Sequence, residues 1–138
     1  YPSMVAFDAG RREVCLVRRI RTNTPLQALV TLNDPVYLEA SAALAKRMLT
    51  EAGNDNAARV ARGLQLALLR PPTDAEIAAL LQLQREAAAE FAAAPESAKR
   101  FLGVASAAIE EESSPVQMAA WTLVGNAILN LDELLMRP

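Results

Sequence analysis

The sequence contains no histidine and only one cysteine, Cys15. Without histidine, the chain cannot supply a Ser-His-Asp triad, a histidine-ligated zinc or a histidine ligand to haem. A single cysteine excludes an internal disulfide, a thiolate metal cage and a Cys-x-x-Cys-His haem attachment. We therefore expect no catalytic residue, no metal site and no cofactor in this chain. We interpret Cys15 as a small buried side chain, with a thiol activated by neighbouring arginines as the alternative.

Aromatic residues and long apolar runs are also scarce. Because aromatic residues make up only 4% of the sequence, an exposed aromatic platform for sugar rings is hard to assemble from it. We expect Trp121 to lie in the core, whereas stacking of Trp121 or Tyr37 on a sugar ring is the alternative. No uncharged apolar stretch is long enough to predict a membrane span. The net charge of −2 argues against binding to nucleic acid over the whole surface.

The residues that are abundant favour helix. Alanine and leucine, which lead the helix-propensity ranking, dominate a sequence that is 52% hydrophobic. Capping boxes, in which a hydroxyl side chain is followed three residues later by Glu or Gln, begin at Thr24, Thr73 and Ser114. A further helix start is predicted at Asp34, which precedes a proline. These closely spaced starts predict an all-α fold: an antiparallel bundle of five or six helices with an extended Arg-rich N-terminal arm.

The predicted elements form a single domain over residues 1–138, with the arm at 1–22 and the helical bundle at 23–138. Because the sequence shows no initiator methionine and no leader, we expect the domain to be excised from a larger protein. The predicted helices cover about 24–32, 35–50, 56–69, 74–93 and 95–102, followed by a long helix that starts after Ser114.

Two helices carry predictions about burial. The helix after Ser114 is apolar nearly all round, which is typical of a helix at the centre of a bundle. Its polar residues form only a thin strip, at Thr122, Asn126 and Asn130. The helix after Asp34 is amphipathic, and its predicted buried face consists of Tyr37, Ala40, Leu44 and Met48.

Six segments of the sequence together form a specific pattern. They are 7–15 (FDAGRREVC), 18–29 (RRIRTNTPLQAL), 32–35 (LNDP), 70–73 (RPPT), 120–122 (AWT) and 129–133 (LNLDE). This pattern resembles a known family, the uncharacterised C-terminal domain of planctomycete-type cytochrome-c-associated multidomain proteins. The resemblance covers nearly the whole chain. Two positions depart from the family, Gly10 where it usually has proline and Leu69 where it usually has glycine.

The resemblance implies a setting for the domain rather than a mechanism. Such domains usually end large exported proteins, so it implies a periplasmic or extracellular location. It also implies partners within the same polypeptide, namely upstream domains that include a cytochrome c-like domain, with haem c held by that parent protein. A role in polysaccharide breakdown is suggested by the neighbouring domains alone.

The arginines of the predicted arm form the main candidate for ligand or partner binding. Arginine side chains bind carboxylate and phosphate groups bidentately, so the cluster predicts a site for an acidic glycan or another anion, or a docking surface. The alternative is structural, because the same side chains can attach the arm to helix ends and buried acids. The cluster consists of Arg11, Arg12, Arg18, Arg19 and Arg21.

A second group of polar residues is expected to form a structural polar corner around the helix ends. Capping explains these residue types, since their side chains satisfy backbone amides that a helix start leaves bare. We also predict that Asp34, Asp132 or Glu133 pairs with an arginine of the cluster, a catalytic carboxylate pair being the alternative. The corner consists of Asn23, Thr24, Asn33, Asp34, Asp132 and Glu133.

Three functions remain open at this point. The first is a non-catalytic interaction and structural module that packs against upstream domains. The second is a binding module for an acidic glycan or other anion, through the arginine cluster. The third is one part of a composite active site completed by other domains, in which Asp8, Glu13, Asp34 and Asp132 would be the acids.

Overall fold

The computed structural model describes residues 32–105 and 114–135. Within these ranges the chain forms helices and no strand, which confirms the predicted all-α fold. The predicted arm and almost all of the first short helix lie outside the described residues. The helices are α1 (Pro35–Glu51), α2 (Asn56–Leu68), α3 (Asp74–Ala93), α4 (Pro95–Val104), α5 (Pro115–Leu129) and the single turn α6 (Asp132–Leu135).

Three helices begin at capping side chains. The carboxylate of Asp34 accepts a hydrogen bond from the Val36 amide at 2.9 Å, which confirms the predicted start of α1. Asp55 caps α2 in the same way, through the amides of Ala57 and Ala58. At α3 the predicted capping box is complete, because Thr73 and Glu76 bond each other's backbone N–H groups.

The predicted capping box at Ser114 is wrong. Ser114 does precede α5, but its side chain makes no capping hydrogen bond. Pro115 occupies the first turn, where its fixed φ already suits a helix and its missing N–H costs no hydrogen bond. The start of α5 therefore rests on the proline and on burial of the helix rather than on the hydroxyl.

Helix α5 forms the centre of the core and packs against α1, α2, α3 and α4. Trp121, Val124 and Ile128 are completely buried on it, which confirms the predicted central position of this helix. Two residues of its polar strip, Thr122 and Asn126, are buried as well, and Thr122 donates to the Met118 carbonyl oxygen at 2.8 Å. Back-bonding of this kind satisfies a hydroxyl without a partner on another helix.

Helix α1 meets α5 at very close range. A Cβ atom added to Gly125 would lie 2.6 Å from the carbonyl oxygen of Ser41. The buried face of α1 therefore carries small residues and differs from the predicted one, since Ala40 is exposed. Small side chains let the backbones of two helices approach each other closely. Because α1 presents these small residues to α5, it is rotated about its own axis by part of a turn from the predicted orientation. The buried residues of α1 are Leu38, Ser41, Ala42, Ala45 and Met48.

The outer helices complete the core with partly buried side chains. Ile77 and Leu80 of α3 pack against the central cluster. Phe91 of α3 stacks on Phe101 of α4, with ring centroids 5.7 Å apart. Of the helices in the described part of the chain, none has the length and apolarity needed to cross a bilayer.

Candidate functional site

The predicted candidate residues fall partly outside the structure's described ranges. The whole arginine cluster, Cys15, Asn23 and Thr24 belong to this part of the chain, so the predictions about them stay predictions. The expected pairing between that cluster and an acid of the polar corner also stays a prediction. The polar-corner residues that the structure describes are Asn33, Asp34, Asp132 and Glu133.

Asp34 acts as a helix cap and also affects its neighbour Tyr37. Partial burial raises the pKa of the Tyr37 hydroxyl, and the negative charge of Asp34 raises it further. Tyr37 also accepts, through its carbonyl oxygen, a 2.6 Å hydrogen bond from the Ser41 hydroxyl. This end of α1 is thus built from local bonds that fix the helix start.

The most extensive polar cluster of the described residues surrounds Arg70. Its guanidinium holds two carboxylates bidentately: Nε and Nη2 contact Glu133 at 2.8 and 2.6 Å, and Nη1 and Nη2 contact Glu76 at 3.1 and 2.6 Å. Nη1 also donates to the Pro71 carbonyl oxygen at 3.1 Å. A guanidinium has five N–H donors, and here all five are used.

Local sequence explains why Arg70 points into this cluster. Helix α2 ends at Leu68 and is followed by Leu69, whose backbone is left-handed (φ 58°), and by two prolines at 71 and 72, which prevent the helix from continuing. Glu76 is the third residue of α3 and accepts from the Thr73 amide at 2.7 Å. The turn therefore places Arg70 beside a carboxylate that the capping box has already fixed.

These contacts change the acid–base properties of the cluster. The hydrogen bonds from Arg70, followed by those from the Thr73 amide and hydroxyl, lower the pKa of Glu76 to about 2. Glu133 and, after it, Glu76 raise the pKa of Arg70 above its usual range. Arg70 and Glu76 thus stay charged over the whole pH range in which proteins normally work.

Acid should weaken this cluster in a defined pH window. Because the pKa of Glu76 is lower in the folded chain than the ordinary value of 4.5, its contribution to stability is complete above pH 4.5 and is lost as the pH falls towards 2. We expect the urea midpoint of the wild-type chain to fall across this window, and that of Arg70→Gln to fall less.

A matched control is Arg47→Gln, which removes one of the two arginines on Glu51. Arg47 is the largest cause of the lowered pKa of Glu51, but Arg62 remains on that carboxylate, so the urea midpoint of this variant should depend on pH more nearly as in the wild type than that of Arg70→Gln does. If the urea midpoint falls equally with pH in Arg70→Gln and in the wild type, Arg70 does not lower the pKa of Glu76.

Sequence reasoning missed Arg70 as a partner of Glu133. The two residues are separated by 63 positions, and nothing in the local pattern indicates that α6 returns to the α2–α3 turn. The available signal was partial: Arg-Pro-Pro-Thr followed by Glu76 does predict an arginine beside a capping carboxylate. Asp132, next to Glu133, is exposed at the first turn of α6.

A second arginine, Arg59, joins the α1–α2 turn to the core. Its Nε donates to the Gly53 carbonyl oxygen at 2.7 Å, and its other nitrogens contact Asn54 and Asn56. Its Cζ atom also lies 5.8 Å from the centroid of the Trp121 ring, a cation–π distance. Trp121 is completely buried, as predicted, so its ring is covered rather than offered to a ligand.

No group of three or more His, Cys, Asp or Glu side chains in the described residues has the arrangement needed to hold a metal ion. The contacts of Arg70 and Arg59 join one structural element to another. Arg70 connects α2, α3 and α6, and Arg59 connects a turn to α5.

Comparison with known proteins places the chain in a family whose role is undefined. No curated protein and no solved structure matches it. The profile of one family, PSD1, described as "Protein of unknown function (DUF1553)", matches residues 1–84, which is more than half of the sequence. The chain therefore belongs to the PSD1 (DUF1553) family.

Proposed function

We propose that this domain is a non-catalytic interaction and structural module. The observation that carries the proposal is the saturation of Arg70 by Glu76 and Glu133. A general base needs a pKa near the working pH, whereas the pKa of Glu76 is about 2. The best-organised ionic group of the described residues is thus suited to holding helices together rather than to transferring protons.

Other polar side chains of the described residues also have structural contacts. Asp34 and Asp55 cap helices, and Arg59 is bonded to the turn between α1 and α2. Trp121 is the only tryptophan of the chain and lies in the core. These uses favour the structural module over a sugar-binding platform built from the described residues.

The resemblance supplies the setting that we propose for the module. The domain would follow a cytochrome c-like domain and other upstream domains of one exported polypeptide, in the periplasm or outside the cell, and haem c would belong to that parent protein. Its partners would be those upstream domains. Exposed apolar side chains support a docking role, among them Val36, which is 57% exposed at the start of α1.

Hydrogen exchange would test the proposal. Amide exchange of this chain is measured alone and within the longer polypeptide that carries the upstream domains. We expect slower exchange at surface amides when the upstream domains are present, because docking excludes water from them. Identical exchange in the two samples would contradict a docking role.

Two further measurements separate this function from its alternatives. Turnover by the parent protein that is lost in Asp34→Asn or Asp132→Asn, without loss of folding, would favour a composite active site. Calorimetric titration with uronic-acid and sulfated oligosaccharides tests an anion site at Arg11, Arg12, Arg18, Arg19 and Arg21. Under the proposed function, both variants keep their turnover and the titrations stay flat.

A further inference from the structure

Leu69 combines two unfavourable features at one position. Its φ of 58° is the one positive φ of a non-glycine residue in the described part of the chain. A leucine in the left-handed region is strained because its Cβ crowds the backbone, a crowding that glycine avoids. Its side chain is also 76% exposed, the highest value among the large hydrophobic residues described. Neither feature contributes to the stability of the domain itself.

The backbone around Leu69 is nevertheless held firmly. The Leu69 amide donates to the Gln65 carbonyl oxygen at 3.0 Å, and the next residue is Arg70, whose guanidinium is fully bonded. Pro71 and Pro72 restrict the chain that follows. An apolar side chain displayed on a rigid turn loses little conformational freedom when it binds, which is the property of an interface anchor.

The elements that meet at this turn carry more acidic than basic residues. The Arg70–Glu133 pair brings α6 to it, so residues 69–76 and α6 together carry four carboxylates and one guanidinium. A second copy of the same surface would be repelled by like charge, and so would nucleic acid or an anionic membrane. The charge therefore selects a basic protein surface as the occupant.

We propose that Leu69 anchors a docking surface for a basic protein segment that has an apolar recess. The inference rests on the proposed interaction role and adds the surface and the chemistry of its partner. Strain at Leu69 is the consequence of presenting leucine where the fold alone would favour glycine. Stability and binding should then respond in opposite directions to substitution at this one residue.

The test compares Leu69→Gly and Leu69→Asn with the wild-type chain. Both replacements tolerate the left-handed backbone, so we expect both to raise the urea midpoint. The binding probe is a short synthetic amphipathic peptide of leucine and lysine, titrated by fluorescence anisotropy. Its affinity should fall about fivefold or more in both variants, although they are the more stable proteins.

Val104→Asn is the matched control, since Val104 is also exposed, at the end of α4, and should leave the affinity unchanged. A leucine–glutamate peptide should not bind. Unchanged affinity in the Leu69 variants, equal binding of the acidic peptide, or a dimer that Leu69→Gly dissociates would overturn the inference. If exchange still slows in the longer polypeptide carrying Leu69→Gly, the module role stands and only this surface is wrong.

Discussion

Gly125→Ala is expected to destabilise the domain by about 3 kcal/mol. The added methyl would lie 2.6 Å from the Ser41 carbonyl oxygen, which is a backbone atom and cannot turn away as a side chain can. Helices α1 and α5 would have to separate along their contact, so neighbouring buried side chains would lose dispersion contacts as well. Urea unfolding followed by far-UV circular dichroism measures the loss.

Two other glycines are natural controls for this effect. An added Cβ at Gly63 would meet the ends of Met48 and Ile128, which can move, so a smaller loss is expected. Gly103 has open space around it within α4, and Gly103→Ala should stabilise the helix by up to about 1 kcal/mol. If the urea midpoint of Gly125→Ala equals that of the wild type, α1 and α5 are farther apart than described.

Trp121→Ala is the second substitution with a large expected effect, a loss of about 4 kcal/mol. The ring is completely buried in the core cluster and lies beneath the guanidinium of Arg59. Alanine would leave a cavity, and Arg59 would lose its aromatic contact. Because Trp121 is the only tryptophan, unfolding of the variants is followed by circular dichroism rather than by fluorescence.

Trp121→Phe separates packing from hydrogen bonding at the same site. The indole Nε1 is buried and has no hydrogen-bond partner among the described residues, a condition that costs about 1–3 kcal/mol. Phenylalanine removes this donor while filling most of the volume, so we expect a much smaller loss than with alanine. Equal losses for the two variants would indicate that Nε1 does have an acceptor.

Local signals in the sequence were sufficient to predict most helices. The hydroxyl–glutamate pair at Thr73 and the Asp-Pro pair at Asp34 depend on neighbouring residues only, and both caps occur in the structure. The uniform apolarity of α5 predicted its central position, because a helix without a polar face has to be surrounded. Ser114 shows the limit of this reasoning, since a capping pattern does not guarantee the capping bond.

Tertiary features were not predictable in the same way. The buried face of α1 depends on how closely α5 approaches, and that distance is set by Gly125, far away in sequence. The pairing of Arg70 with Glu133 depends likewise on where α6 lies. Both require knowledge of which helices are neighbours, which hydrophobic periodicity within one helix does not contain.

The family profile ends at residue 84, halfway along α3 and at the buried side chain of Gln84. Helix α5, against which α1 packs, begins 31 positions later, at Pro115. A fragment trimmed to the profile would leave the small-residue face of α1 in water. The packed core therefore extends beyond the region that the profile matches. Among homologues, changes at the position of Ser41 should accompany changes at the position of Gly125, even though only the first lies inside the matched region.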